Sequence, residues 1–388
     1  MHIIDRIDLR RSWTGEEVFV LDQVRRLIRE TIAPAARETD LSGRFPWANV
    51  EAINALGLNG IYIPETYGGA PMSYRVYLAV VKLIASACAS TGIIYATNFH
   101  ATGPIVDFAT EEQKARFLPR IATGGLAALA ITESEAGSDA TGMRTIFRPQ
   151  GDTIVVSGSK AFITSGDVAD IILVFGKWAE TENPRAAISA LVLEKGTEGF
   201  EIAHIEDKMG HRGSTTAAMT FNDCRVPRDN LIGAPGDGLA ILLASLNRSR
   251  PSIAAHALGI ARAAFDDMVT YMNSRQQSGR RIIDFQGNQF MLADRAADLA
   301  MAEVWLDHVA ALIDAAERDF GVEASIAKLR ASDLAMLMAT DAVQMHGGYG
   351  YCRDFRVERL MRDAKITQIW EGTNQIQRQL IGRSFAAK

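Results

Sequence analysis

Cysteine is scarce in this chain of 388 residues, which contains three. Cys88, Cys224 and Cys352 lie far apart and form no CxxC motif. This use of cysteine favours a reducing compartment and argues against a structural zinc site. The seven histidines include no HExxH motif, and no other cluster typical of metal ligands is present. We therefore expect no metal site.

The sequence also lacks the signals for export, membrane insertion and nucleic-acid binding. Its first residues alternate charged and apolar side chains, without the apolar segment of a signal peptide. The segment from Leu83 to Val106 has no formally charged side chain, but it contains Gly92, His100 and Pro104. It is interpreted as a buried helix with a loop, not as a membrane span. The net charge of −5, with no basic stripe, argues against a nucleic-acid partner. We expect a cytoplasmic protein.

Motifs of the common nucleotide-binding and nucleophile-based enzymes are missing. There is no Walker A sequence and no GxSxG nucleophile elbow. The glycine-dense stretch HGGYGYC at 346–352 does not follow a predicted strand. A nicotinamide-binding Rossmann unit is therefore not expected.

Hydrophobic periodicity divides the chain into three parts. Residues 1–123 contain amphipathic helical patterns. Residues 124–235 change to short runs of Ile, Val, Thr and Phe bounded by turn residues, which predict an antiparallel sheet or small barrel. Residues 236–388 return to long alanine-rich helices, which predict an antiparallel bundle. The chain is longer than the roughly 250–300 residues at which a single core stops growing, so an α+β multidomain protein is predicted.

The stretch QIWEGTNQIQ at 368–377 contains one carboxylate, Glu371, between Trp370 and Gly372. Three interpretations fit these residues. Glu371 could pair with the nearby Arg362 or Lys365, could be a solvated turn residue, or could be an acid–base group in a dry pocket. The glycine would let the backbone turn without a side chain beside the carboxylate.

Several loops combine Gly, Ser, Thr and amide side chains. Backbone N–H groups in such loops suit the carbonyls and pyrophosphate of a bound dinucleotide, although each loop taken singly also fits a plain turn. The loops are 130–140, 158–170, 207–216, 248–266, 344–351 and 368–377.

Taken together, these loops closely resemble those of the acyl-CoA dehydrogenase family. The resemblance covers nearly the whole chain and is carried by TESEAGSD, KMGHRGST, GIARAAFD, GGYGY and RDAKITQIWEGTNQIQ. It implies a helical N-terminal domain, an antiparallel β middle domain and a C-terminal four-helix bundle. It also implies one FAD per subunit and a homotetramer.

The resemblance implies that the protein converts a saturated acyl-CoA into its trans-2-enoyl form and passes electrons to an electron-transfer flavoprotein. Glu371 matches the base that removes the α-proton. Burial beside Trp370 and a bound acyl chain would raise the pKa of that carboxyl group and make it a better base. Its backbone N–H would help bind the thioester oxygen. Some members carry the base just before the arginine that matches Arg250, but no acid stands there in this chain.

The resemblance also assigns binding residues. Thr132 and Thr164 match groups that bond the isoalloxazine, and Phe162 matches the ring that packs on it. The full set matching FAD contacts is Ile131, Thr132, Ser138, Phe162, Ile163, Thr164, Arg275, Gln277, Gln344, Gly347, Gly348, Thr373 and Gln375. Those from Arg275 to Gly348 match contacts to the FAD of a neighbouring subunit. The positions matching acyl-CoA contacts are Ser138, Asn247, Arg250 and Gly372.

The chain departs from the family pattern in three places. Ser134 and Glu135 replace a usual Pro-Gly pair, Ser278 replaces a common phenylalanine near the adenine, and Asn247 replaces an acid near coenzyme A. The last change leaves open an acyl group carried on a carrier protein. A flavin oxidase or monooxygenase and a non-enzymatic flavin-binding protein are further alternatives on the same scaffold.

Overall fold

The N-terminal part of the chain is helical. The structure is a computed structural model that describes residues 6–7, 11–181 and 187–386. The first helix begins after Thr14, whose side chain accepts from the N–H of Glu17 while the Glu17 carboxylate accepts from the N–H of Thr14. This capping box satisfies N–H groups that would otherwise lack partners at the helix start. The first helical segments are α1 (Gly15–Leu27), a π-helical turn (Ile28–Ile32), α2 (Ala33–Ser42) and α3 (Trp47–Ala55).

The long uncharged segment forms the end of α4 (Tyr74–Ala87) and most of α5 (Ala89–Phe108), which meet at the extended residue Cys88. All of α5 from Ala89 to Ile105 is buried. The interpretation as buried protein is confirmed, but Gly92 and Pro104 lie inside α5, not in a loop. No helix among the described residues is both long enough and apolar enough to cross a membrane. Helix α6 (Glu111–Ala122) ends this part.

The middle part is a β-sheet, as predicted. Within the described residues it has eight strands in the order β6-β7-β3-β2-β4-β5-β8, with β1 paired to β4. The strands are β1 (Ala127–Ala130), β2 (Ile146–Gln150), β3 (Thr153–Thr164), β4 (Ile171–Trp178), β5 (Ile188–Glu194), β6 (Phe200–Ile205), β7 (Thr216–Pro227) and β8 (Leu231–Ile232).

Pairing in this sheet is antiparallel except where β4 meets β1 and β2, which both run parallel to it. The chain between β1 and β4 contains the β2–β3 hairpin, which is long enough to return the chain for a parallel pair. The β3–β7 pair shifts register between Lys160 and Ile163. This bulge leaves Phe162 at φ +60 with its side chain 62% exposed.

The C-terminal part is helical again. Its elements are α7 (Gly238–Ser274), a hairpin of β9 (Gln276–Gln277) and β10 (Arg280–Arg281), α8 (Gln286–Asp314), α9 (Gly321–His346), α10 (Val357–Ile366) and α11 (Asn374–Arg383). One continuous hydrophobic core joins the buried side chains of α4 and α5 to those of α7, α8 and α9. The two helical parts are therefore packed as one unit, with the sheet beside them.

Candidate active site

Glu371 lies in the short loop between α10 and α11. Its backbone is left-handed, at φ +50, and that of Gly372 is too, at φ +87. A Cβ atom on residue 372 would lie 2.7 Å from the amide nitrogen of Gln377. The pair of left-handed residues reverses the chain, and the first of them is strained because it carries a side chain. Helix α11 then starts at Asn374, capped by the Thr373 hydroxyl, which accepts from the N–H of Ile376 at 3.3 Å.

Two buried side chains hold this loop from inside the bundle. Lys328 on α9 donates from Nζ to the carbonyl oxygen of Gly372 at 2.8 Å and to Oδ1 of Asn374 at 2.9 Å. Gln377 donates from Nε2 to the carbonyl oxygens of Glu371 at 3.2 Å and Gly372 at 2.9 Å. Burial lowers the pKa of Lys328 to about 7, although the charge of Glu371 works in the opposite direction.

The carboxylate of Glu371 faces inward, toward α5 and α7. Oε2 accepts from the Ser249 hydroxyl at 2.5 Å, and Oε1 lies 3.7 Å from Nδ1 of His100. The Glu371 side chain is 18% exposed. Burial lowers the pKa of His100, so this imidazole is neutral at pH 7. Nε2 of His100 bonds the Ser252 hydroxyl at 2.6 Å, which fixes the ring.

The alternative ion pairs of Glu371 are not formed. Arg362 binds Asp40 and Glu358 through its guanidinium group. Lys365 donates to the side-chain oxygen of Gln368 at 2.9 Å. Both cationic side chains therefore bond to residues other than Glu371, and the Glu371 carboxylate points to the interior.

Arg250 and Asn247, two predicted substrate positions, bond to each other on α7. Arg250 donates from Nη1 to Oδ1 of Asn247 at 2.9 Å. Arg250 is 5% exposed, and its buried Nε has no hydrogen-bond partner among the described residues. Burial lowers the pKa of Arg250, and the negative charge of Glu371 partly opposes that change. The arginine is thus a nearby positive charge behind the carboxylate.

Trp370, the residue before Glu371, packs against two buried histidines. Its ring centroid lies 4.9 Å from that of His211 and 5.7 Å from that of His256, both edge to face. The two imidazoles are linked Nε2 to Nε2 at 2.8 Å. Burial lowers the pKa of His256 to about 3, so the cluster is uncharged at pH 7. Trp370 and these histidines form an apolar wall next to Glu371.

The predicted flavin residues of the middle part share one end of β3. The N–H of Ala161 donates to the carbonyl oxygen of Thr132 at 2.9 Å, which joins the loop after β1 to the end of β3. The N–H of Ser165 donates to the carbonyl oxygen of Thr215 at 3.0 Å. That second bond ties the end of β3 to the 207–216 loop. The same loop carries His211 and so reaches Trp370.

Other predicted residues occupy varied settings. Ile163 is buried in the sheet core, while Ile131 and Thr164 are half-buried. Ser138 and Gln375 are exposed, and the structure brings neither into contact with Glu371.

The predicted contacts to a neighbouring subunit lie at the far ends of α7 and α9. The ring of Tyr271, near the end of α7, stacks on that of His346 at 4.1 Å, so the two helix ends lie side by side. The exposed residues just beyond these ends, or in their last turn, are Arg275, Gln277, Gln344, Gly347 and Gly348.

A cavity adjoins the carboxylate. It is bounded by α5, by the N-terminal half of α7 and by aromatic rings from the N-terminal part. Its lining residues are Tyr62, Tyr74, Tyr77, Phe99, His100, Gly103, Pro104, Asp107, Phe108, Ser245, Arg248 and Ser249. Because Ser249 both lines this cavity and donates to Glu371, the carboxylate lies next to the cavity.

Sequence reasoning missed several residues around Glu371: His100, Ser249, Lys328 and Gln377. Each is a polar side chain buried in a helix or between helices. A buried polar group requires a partner, so polar residues on apolar helix faces are the available signal. That signal does not identify the partner. These four residues are separated from Glu371 by 6 to 271 positions in the chain.

Family comparison matches all three parts of the chain. The N-terminal domain of acyl-CoA dehydrogenases matches residues 14–125, the middle domain matches 128–224, and the C-terminal domain matches 236–386. An acyl-CoA dehydrogenase of Bacillus subtilis is 43% identical over 95% of this chain and 98% of its own length. A short-chain-specific acyl-CoA dehydrogenase of Clostridium acetobutylicum is 39% identical over 96% of this chain and 98% of its own length.

A solved structure has the same fold. Butyryl-CoA dehydrogenase from Megasphaera elsdenii superposes with a TM-score of 0.93 at 37% identity, covering 96% of this chain and 99% of that one. Identity, coverage and fold agree over nearly the full length, so this chain belongs to the acyl-CoA dehydrogenase family.

Proposed function

We propose that this protein oxidises a saturated acyl-CoA thioester to its trans-2-enoyl form, with Glu371 as the base and an electron-transfer flavoprotein as the electron acceptor. The dehydrogenase role follows from the family. The observation that supports the base assignment is the inward carboxylate next to a cavity, held by Ser249 at 2.5 Å and not paired with Arg362 or Lys365.

Acyl-CoA dehydrogenases are FAD-dependent, and the residues at the end of β3 fit that cofactor. The hydroxyls of Thr132, Ser138 and Thr164 have no hydrogen-bond partner among the described residues. Phe162, two residues before Thr164, exposes a flat ring. Free hydroxyls together with an exposed ring suit a planar heterocycle with carbonyl and ring-nitrogen acceptors.

Bound FAD would supply the acceptor for the hydride that leaves the β-carbon. The protein's part is to hold the thioester and to take the α-proton. Glu371 would take that proton onto a carboxylate oxygen, and the anchored loop would keep that oxygen in place. Lys328 and Gln377 provide this anchoring through the carbonyl oxygens of residues 371 and 372.

A backbone N–H is available for the thioester oxygen. That of Glu371 makes no hydrogen bond to any described residue. Removal of the α-proton places negative charge on the thioester oxygen, and a fixed N–H donor next to the base would stabilise that charge. Neutral His100 and the uncharged wall around Trp370 exclude water from the same region.

The test is Glu371→Gln, measured by anaerobic stopped-flow reduction of the bound flavin with a panel of acyl-CoA thioesters. We expect normal flavin content and a reduction rate at least about 10³-fold lower, because the amide cannot accept the proton. The matched control is Glu30→Gln, which removes an exposed carboxylate that pairs with Arg26 on a distant helix surface. Wild-type reduction rates in Glu371→Gln would refute the assignment of the base.

A further inference from the structure

The cavity that adjoins Glu371 also has a charged wall. Asp107 and Arg248 both line it, and Arg248 Nε lies 3.2 Å from Oδ2 of Asp107. Arg248 also donates from Nη1 to the hydroxyl of Tyr62, which lines the same cavity. The Arg248 and Asp107 side chains are 37% and 28% exposed, so the pair lies where the cavity meets solvent. These groups are not expected in a pocket for a purely aliphatic acyl chain, because covering charged groups with apolar surface costs desolvation free energy.

The carboxylate end of the pair, Asp107, lies beyond the reacting carbons. His100 and Asp107 are both on α5, and the seven positions between them span about 10 Å of helix axis at a rise of about 1.5 Å per residue. His100 is next to Glu371, so Asp107 lies opposite the distal part of an acyl chain whose α-carbon meets the base. Aromatic rings such as Phe99 and Tyr77 line the cavity near its middle.

Hydrogen bonding at Asp107 is incomplete. Among the described residues its one ion-pair partner is Arg248, at 3.2 Å, whereas a carboxylate can accept about four hydrogen bonds. Burial raises the pKa of Asp107 despite the nearby Arg248 and Lys114, so its charge is under-compensated. Tyr62 accepts from Arg248, and no described residue accepts its own hydroxyl proton. The wall thus offers an acceptor, Asp107, beside a donor, Tyr62.

Resting on the function proposed above, we propose that the substrate's acyl chain carries an uncharged hydrogen-bonding group, a hydroxyl or an amide, at its distal end. Such a group donates to Asp107 and accepts from Tyr62 or Arg248. A distal carboxylate would lie next to the like charge of Asp107, and a distal ammonium would lie next to the like charge of Arg248. A methyl group would displace the water around the ion pair without forming hydrogen bonds in its place.

The test compares thioesters that differ only in the last group. 4-Hydroxybutyryl-, 6-hydroxyhexanoyl- and 8-hydroxyoctanoyl-CoA are each paired with the alkyl thioester in which methyl replaces hydroxyl: pentanoyl-, heptanoyl- and nonanoyl-CoA. Adipoyl-CoA tests the charged tail. For the wild-type holoenzyme we expect at least one hydroxyacyl thioester to exceed its alkyl partner by about tenfold or more in kcat/KM, because unmet polar groups penalise the analogue. Adipoyl-CoA should be poorer than both 6-hydroxyhexanoyl- and heptanoyl-CoA.

Asp107→Asn provides a switch in specificity. It removes the repulsive charge and leaves Arg248 and Tyr62 as donors, so kcat/KM for adipoyl-CoA should rise at least about tenfold relative to heptanoyl-CoA. The control is Arg25→Met, which breaks an exposed ion pair with Asp22 on α1 and should leave every ratio unchanged. Flavin content and melting temperature, measured for both variants, show whether the fold is retained.

The two proposals fail separately. If alkyl thioesters reduce the flavin as well as or better than every hydroxyacyl partner, the distal polar site is wrong while the dehydrogenase function stands. The distal site is equally refuted if adipoyl-CoA gains nothing in a folded, flavin-loaded Asp107→Asn variant. If no thioester reduces the wild-type flavin at all, the proposed function fails.

Discussion

Single residues around Glu371 decide how its carboxylate is oriented, and Ser249 is the closest of them. Its hydroxyl donates to Oε2 of Glu371 at 2.5 Å from within α7. A hydrogen bond to a charged acceptor contributes about 1.5–3 kcal/mol, more than one between neutral groups. Ser249 thereby selects one side-chain conformation of Glu371 before any substrate is present.

We predict that Ser249→Ala lowers the rate of flavin reduction about tenfold or more at pH 7, because Glu371 loses the hydroxyl donor at its Oε2 atom and samples other conformations. Flavin content should not change. The conservative Ser249→Thr keeps the hydroxyl and should retain most of the rate. Stopped-flow spectroscopy of both variants measures this, and equal loss in Ala and Thr variants would mean that packing, not the hydrogen bond, is responsible.

The sequence contains enough to single out Glu371 but not its neighbours. The residues next to it, tryptophan before and glycine after, are neighbours in the chain and can therefore be recognised from the sequence. His100 and Ser249 meet the carboxylate only because α5 and α7 pack side by side, and no local pattern encodes that contact. Asp107 and Arg248 were missed for the same reason: each looks like an ordinary charge at a helix edge until the cavity is seen.

Among the secondary-structure elements, α9 carries the anchor of the loop that contains Glu371. Lys328 is fully buried there, between a loop carbonyl and Asn374. The unfolded chain keeps this lysine protonated up to about its ordinary pKa of 10.5, whereas the folded chain releases the proton near pH 7. The unfolded state therefore binds more protons between these values, and stability rises with pH across that window.

We predict that the difference in unfolding free energy between wild type and Lys328→Met increases from pH 7 to pH 10, by at most about 1.4 kcal/mol per pH unit. Urea unfolding at a series of pH values gives this difference. Lys195→Met, at an exposed position, is the control and should differ from wild type by a constant amount. A pH-independent difference for Lys328→Met would contradict the shifted pKa.

The elements themselves were largely predictable, with one instructive exception. The uncharged segment was expected to include a loop, because it contains Gly92, Gly103 and Pro104. They lie inside α5 instead. A Cβ atom on Gly92 would come within 2.9 Å of the Cα of Ala85, so the glycine allows α4 and α5 to approach closely. Tertiary packing, which local propensity does not report, overrides the loop signal.

At the scale of the whole molecule, α8 exposes a row of large apolar side chains. Phe290, Met301 and Val304 are 62%, 73% and 56% exposed. Spacings of eleven and three residues put them on one helix face. Met301 and Val304 lie within one helical turn of each other, and we propose that they form part of an association surface. The homotetramer that the family resemblance implies stays a prediction.

We predict that Met301→Glu combined with Val304→Glu lowers the oligomeric state, measured by sedimentation velocity, because two buried charges at a symmetric contact are repeated in each copy. Flavin should also dissociate more readily if Arg275 and Gln344 contact the cofactor of a neighbour. Phe19→Glu, at a similarly exposed ring on α1, should leave the mass unchanged. A double variant with wild-type mass would place the association surface elsewhere.

Hydrophobic periodicity predicted the order of the α, β and α parts. It did not predict that the two helical parts share one hydrophobic core. The core shared by α4 and α5 with α7, α8 and α9 is assembled from the beginning and the end of the polypeptide. During synthesis on a ribosome, the apolar faces of α4 and α5 stay exposed until the C-terminal third of the chain has emerged. A truncated product ending after the sheet would therefore be a target for chaperones and proteases, and supplying the missing C-terminal fragment as a separate polypeptide is the natural way to rescue it.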